Sequence, residues 1–155
     1  MKKIIQIPVL LTLLLILSAC SRGELTVKDA WARPALAGNN SAIYFVIENS
    51  GEADTLLSAA TDAATTVEMH MSMAVEEEQN TEHNMEGMSQ GEVMTMVRQE
   101  NVSIPRRGEV TFAPGGLHVM LVGVSSDLAV DDTIELTLTF EKAGTMTLQV
   151  PVEER

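Results

Sequence analysis

An all-β sandwich or barrel is the fold class this sequence predicts, on three observations. From Leu25 onward the apolar runs are short and rich in Val, Ile, Thr and Leu. Gly, Pro, Asn and Asp break them at short intervals, and few stretches repeat with the helical period. Several strands separated by turn signals are the pattern of packed antiparallel sheets.

The strands can be justified one by one. Ser41–Asn49 reads as a buried strand closed by the turn Asn49-Ser50-Gly51. Val67-Glu68-Met69-His70 is an apolar run ending on a histidine, and Met94 and Met96 share one face of another strand. Val110-Thr111-Phe112 leads into the turn Pro114-Gly115-Gly116, whose glycines permit the tight reversal before His118. Leu117–Val124 and Thr133–Phe140 follow as strands, and Lys142-Ala143-Gly144-Thr145 turns the chain into a last one, residues 146–150. Residues 75–91 depart from this pattern: Glu76-Glu77-Glu78 and their polar neighbours predict a long flexible loop, which also holds His83, Met85 and Met88.

The N-terminus predicts export. Lys2 and Lys3 precede an apolar run over residues 4–17, too short for a membrane-spanning helix of roughly 20 residues, and small residues follow it. Leu17-Ser18-Ala19-Cys20 resembles the lipobox of bacterial lipoproteins, which implies that residues 1–19 are a signal peptide and that Cys20 carries the lipid anchor. Residues 20–24 then form a short linker and residues 25–155 a single domain. Cys20 is the only cysteine, so the domain has neither a disulfide nor a free thiol. Without residues 1–19 the chain keeps 8 basic against 22 acidic residues, a formal charge of −14, which makes nucleic acid a poor partner.

Ten methionines occur in the chain, and seven of them (Met69, Met71, Met73, Met85, Met88, Met94 and Met96) fall within one 28-residue stretch. Methionine can simply fill a core, but the apolar runs at residues 43–47 and 134–140 contain none. Clustering beside two of the three histidines favours a ligand role. In Leu117-His118-Val119-Met120-Leu121 the strand period of two puts an imidazole and a thioether on the same face. Thioether with imidazole suits Cu(I) and is poor for Mg, Ca or Mn. Zinc is the weaker choice, since its sites rarely use methionine. A blue-copper centre needs a cysteine ligand, which the domain lacks.

With these residues in place, the chain resembles the PCuAC family of periplasmic copper chaperones, whose motif sets His-x-Met after a methionine and 21 intervening residues, the separation of Met96 from His118 here. The likeness extends through Ala30-Trp31-Ala32-Arg33-Pro34, Ala42-Ile43-Tyr44-Phe45, Val67-Glu68-Met69-His70, Ile104-Pro105, residues 114–121 and Phe140-Glu141-Lys142-Ala143-Gly144. It implies a cupredoxin-like Greek-key sandwich and a Cu(I) site on His70, Met96, His118 and Met120, with Met94 in reserve. The family's gap between its first His and first Met is about ten residues, whereas 25 separate His70 from Met96, so Met71 and His83 compete with His70. Trp31 and Tyr44, the only Trp and Tyr, are expected to anchor the core.

The function implied is capture of Cu(I) outside the cytoplasm and delivery to a copper-receiving protein, such as a haem–copper oxidase subunit or another copper chaperone, from a lipid anchor on a periplasmic or cell-surface membrane face. Neutral thioethers leave the ion its charge, and without thiolate it stays free to exchange ligands. The alternative is a copper buffer or tolerance protein with no dedicated recipient, in which loop carboxylates, His83, Met85 and Met88 offer a second site, of a kind Cu(II) accepts. A third is an adhesion-like β-sandwich module whose methionines only pack. No Ser-His-Asp arrangement or Gly-rich phosphate loop argues for an enzyme.

Overall fold

A computed structural model of the chain describes residues 24–75 and 93–155. The expected signal peptide, Cys20, and the loop residues His83, Met85 and Met88 lie outside the described residues. Ten strands account for the fold, and the described residues include no helix.

They form two sheets, a six-stranded one and a four-stranded one. The larger is built from β1 (Leu25–Ala32), β2 (Ser41–Asn49), β4 (Ala64–Val75), β5 (Val93–Gln99), β7 (Gly108–Phe112) and β8 (Leu117–Val124), in the order β1-β2-β7-β8-β4-β5. The smaller holds β3 (Asp54–Ala60), β6 (Val102–Ile104), β9 (Thr133–Phe140) and β10 (Gly144–Pro151), in the order β10-β9-β3-β6. The chain crosses between the sheets repeatedly, which makes the all-β sandwich the sequence predicts. The strands expected around residues 41–49, 110–112, 117–124, 133–140 and 146–150 are all present, some with longer ends. The expected loop begins later than residue 75, because β4 includes Val75. Short β3 and β6 carry weaker sequence signals: Ser58, Ala59 and Ala60 have little strand preference, and three residues are too few to show a period.

Alternation along the strands fills the space between the sheets. Ile43, Phe45, Ile47, Phe112, Val119 and Leu121 meet Leu56, Ile104, Leu136, Leu138, Phe140 and Val150, all essentially buried. Phe45 stacks on Phe112 with ring centroids 4.3 Å apart. Met69 joins this cluster from β4, so one of the clustered methionines does fill the core.

Two features of the larger sheet decide what lies on its outer face. The first half of β2 pairs with β8 (Ser41 with Leu121, Ile43 with Val119) and the second half with β7 (Phe45 with Phe112, Asn49 with Gly108), so β7 and β8 follow one another along the same edge of β2. Residues 113–116 make an excursion between them, with Gly115 at φ +79°, a backbone that glycine adopts freely. The other feature is the antiparallel pairing of β4 with β8 on one side and β5 on the other, which continues the sheet to its edge.

Candidate metal centre

Directly opposed residues of an antiparallel pair project to the same face, and the core residues Met69 and Val119 are such a pair. Their sequence neighbours therefore face outward. On β4 these are Glu68, His70 and Ser72; on β8 they are His118 and Met120. The register sets His70 opposite His118 and Glu68 opposite Met120. On the far side of β4, Met96 is opposite Ser72, Arg98 opposite His70, and Met94 opposite Ala74. His70, Met96, His118 and Met120 thus come from three neighbouring strands onto one face. Met71 pairs with Leu117, one residue out of step, and belongs to the opposite face. Met94 holds a register position two residues further than Met96 from His70.

The wide separation of His70 from Met96 in sequence has a simple cause. β4 and β5 are consecutive antiparallel strands, so every residue between Ser72 and Met96 is accommodated by the strand ends and the segment joining them. Extra residues in that segment leave the register of the ligand candidates unchanged.

The two imidazoles lie with centroids 5.8 Å apart and planes at 71°. His118 is buried, at 4% exposure. Its Nδ1 lies 3.0 Å from the Gly116 carbonyl oxygen. A carbonyl only accepts, so Nδ1 carries the proton and Nε2 keeps its lone pair. Gly116 O also accepts from the Ser72 amide at 3.1 Å, which ties the excursion after β7 to β4. His70 is organised the other way round: its Nε2 is 2.9 Å from Oε2 of Glu68, and its Nδ1 is buried without a hydrogen-bond partner among the described residues. An unpartnered buried ring nitrogen is costly in a purely structural histidine, and a bound ion would satisfy it. Among the described residues no three His, Cys, Asp or Glu side chains gather as a metal site. Met96 is 56% exposed and Met120 is partly buried.

Trp31 and Tyr44 are buried as expected, but not in the main core. With Ala42 they form a second small cluster on the outer face, because Ala42 and Tyr44 alternate with core-facing Ile43 and Phe45. Their rings are 4.7 Å apart, Arg155 lies over Trp31 at 5.4 Å, and Tyr44 reaches to 6.4 Å from the His118 ring. These aromatics wall the β2 side of the centre. Glu68 was not among the residues singled out from sequence. Its signal was the i, i+2 spacing from His70, which puts both on one face of a strand.

Three comparisons bear on this arrangement. Residues 25–152 match the model of the LpqE-like family, described as "Putative lipoprotein LpqE-like". A protein of Leifsonia xyli subsp. xyli (strain CTCB07), itself described as a "Putative lipoprotein", is 28% identical over 129 residues, covering 83% of this chain and 69% of the relative. Among solved structures, the copper-bound PCuAC domain from PmoF2 superposes with a TM-score of 0.64 at 27% identity, over 87% of this chain and 97% of that domain. The Cu(I) form of DR1885 from Deinococcus radiodurans superposes with a TM-score of 0.55 at 26% identity, over 88% of this chain and 84% of the other. The cupredoxin-like fold is shared with these domains, and the chain belongs to the LpqE-like family, which is similar to the PCuAC copper-chaperone domains.

Proposed function

We propose that this domain binds one Cu(I) ion outside the cytoplasm through His70, Met96, His118 and Met120, and passes it to another copper protein. The observation that carries the reading is the facing pair of imidazoles, each with one nitrogen tied down and the other left with a lone pair, flanked in register by two thioethers. Metal–imidazole bonds are about 2 Å long, so two rings at this separation admit one ion between them. Copper bound to similar PCuAC domains supports the choice of metal. The ligand set is neutral, and one member, Met96 on the edge strand, is exposed to solvent. That suits release by stepwise ligand exchange to a recipient's cysteine or histidine. The recipient we infer is a haem–copper oxidase subunit or a second chaperone, reached from a membrane to which Cys20 is lipidated. The related protein described as a lipoprotein supports the anchor.

The test is Cu(I) titration of residues 21–155, which contain all ten strands and the core of the described residues, under anaerobic reducing conditions against a competing chelator. Wild type is expected to bind one ion per chain, and His118→Ala combined with Met120→Leu to abolish it. Binding that survives the double substitution would move the metal to residues 76–92 and favour buffering.

A further inference from the structure

Glu68 is a charged group on the outer face that the ligand set does not use. Glu68 lies opposite Met120 in the sheet register and two residues before His70 on the same strand. Its side chain is 22% exposed, and its two oxygens are divided between two partners. Oε2 is 2.9 Å from His70 Nε2, and Oε1 is 3.2 Å from Nη1 of Arg98. Arg98 is in turn the residue directly opposite His70 on β5, two positions from Met96.

We propose that Glu68 is a positioning residue: it fixes the His70 ring and its tautomer, so that copper is held by Nδ1 of His70 and by Nε2 of His118. This rests on the reading of His70 as a ligand. A free histidine prefers neither nitrogen strongly enough to present one reliably to a metal, and the hydrogen bond at the other nitrogen decides. A carboxylate oxygen accepts and does not donate, so the proton is held on Nε2 and the lone pair on Nδ1, the buried nitrogen with no other partner among the described residues. The Gly116 carbonyl makes the opposite choice for His118. The pair is therefore asymmetric by construction: a side chain of β4 sets one imidazole, and the backbone of the glycine excursion sets the other. Because Arg98 grips the second oxygen of Glu68, the strand that carries Met96 also restrains the orientation of His70. Carboxylates that orient a metal-binding histidine raise its basicity toward the ion, and their loss costs on the order of 10–100-fold in affinity.

The experiment uses residues 21–155 labelled with nitrogen-15. Long-range proton–nitrogen correlation of the imidazole rings, recorded without metal where both rings are neutral, reads each tautomer directly. Wild type is expected to show His70 protonated on Nε2 and His118 on Nδ1. Glu68→Gln keeps an acceptor oxygen and is expected to retain the His70 tautomer and to bind Cu(I) within a few-fold of wild type. Glu68→Leu is expected to lose the His70 preference, to leave His118 unchanged, and to weaken Cu(I) binding by about 10–100-fold. A wild-type His70 protonated on Nδ1 would overturn the proposal, with no substitution needed. So would a Glu68→Leu protein that keeps both the tautomer and the affinity. His70→Ala separates this from the parent reading: undiminished Cu(I) affinity there would remove His70 from the ligand set, whereas a loss there beside an unaffected Glu68→Leu would remove only the role of Glu68.

Discussion

Met69 and Met96 belong to the same methionine-rich stretch, yet one is buried and the other exposed, and under the proposed ligand set truncating each to alanine separates stability from metal binding. Met69 is 5% exposed and packed in the core, so Met69→Ala deletes a buried side chain and leaves a cavity, at a cost of about 2–5 kcal/mol. Met96 is 56% exposed. Full burial of a methionine contributes about 1.5–3 kcal/mol, so Met96→Ala forfeits roughly 0.7–1.3 kcal/mol. Urea unfolding of the metal-free domain resolves the two readily. With a slope of about 1–3 kcal/mol per molar urea, a loss of about 3 kcal/mol moves the midpoint by about 1–3 M. Copper affinity should reverse the ranking. Losing a thioether ligand should weaken Cu(I) by at least the 10-fold or so that the loss of an outer-shell group costs, while Met69→Ala, once folded, should bind within about two-fold of wild type. The reasoning is refuted if Met96→Ala unfolds as readily as Met69→Ala, or if Met69→Ala loses more copper affinity than Met96→Ala.

Three further outcomes follow from the same geometry. Gly115 has φ +79° and open space where a Cβ would go, so Gly115→Ala should cost only the backbone penalty of about 1–2 kcal/mol in thermal melts; copper affinity should fall as well, because the Gly116 carbonyl that holds His118 is the next residue. Burial raises the Asp54 pKa, but the amides of Thr55, Lys142 and Ala143 outweigh it and hold the carboxyl below its ordinary value. The stability this carboxylate contributes is therefore complete above about pH 4, the usual unfolded value, and is lost as pH falls through the lower folded value. Asp54→Asn should accordingly cost about 2 kcal/mol near neutrality, with a gap to wild type that closes in acid titrations. Cu(I) at about 100 times its dissociation constant should add about 2.7 kcal/mol to stability in wild type and nothing in His118→Ala with Met120→Leu, read as the shift in melting temperature.

The parts of this fold that were legible in the sequence are those written locally. Ser41–Asn49 and Thr133–Phe140 announce themselves by being rich in β-branched and aromatic residues, and His118 with Met120 by a period of two. What the sequence withheld depends on pairing between distant segments. That His70 faces His118, and Arg98 faces His70, follows from a register set by the packing of β8, β4 and β5, which no window of the chain contains. Trp31 and Tyr44 show the same limit: their size predicted burial, but only the alternation of β2 within its sheet sends Tyr44 to the outer face beside the histidines. Glu68 was legible only in retrospect, since a glutamate two residues from a histidine becomes informative once both are known to lie on one strand.

The consecutive pairing of β4 with β5 also changes how such a centre should be defined. Because Ser72 and Met96 are held opposite each other by the sheet, the number of residues joining the two strands is a free variable, and the centre behaves like a zip fastener whose pull can be any length. Searches that demand a fixed count between His70 and Met96 would overlook chains of this kind, while a rule written in cross-strand partners would find them. The same freedom lets the connecting segment change in length and composition, acidic or methionine-bearing, while the cross-strand partners stay in register.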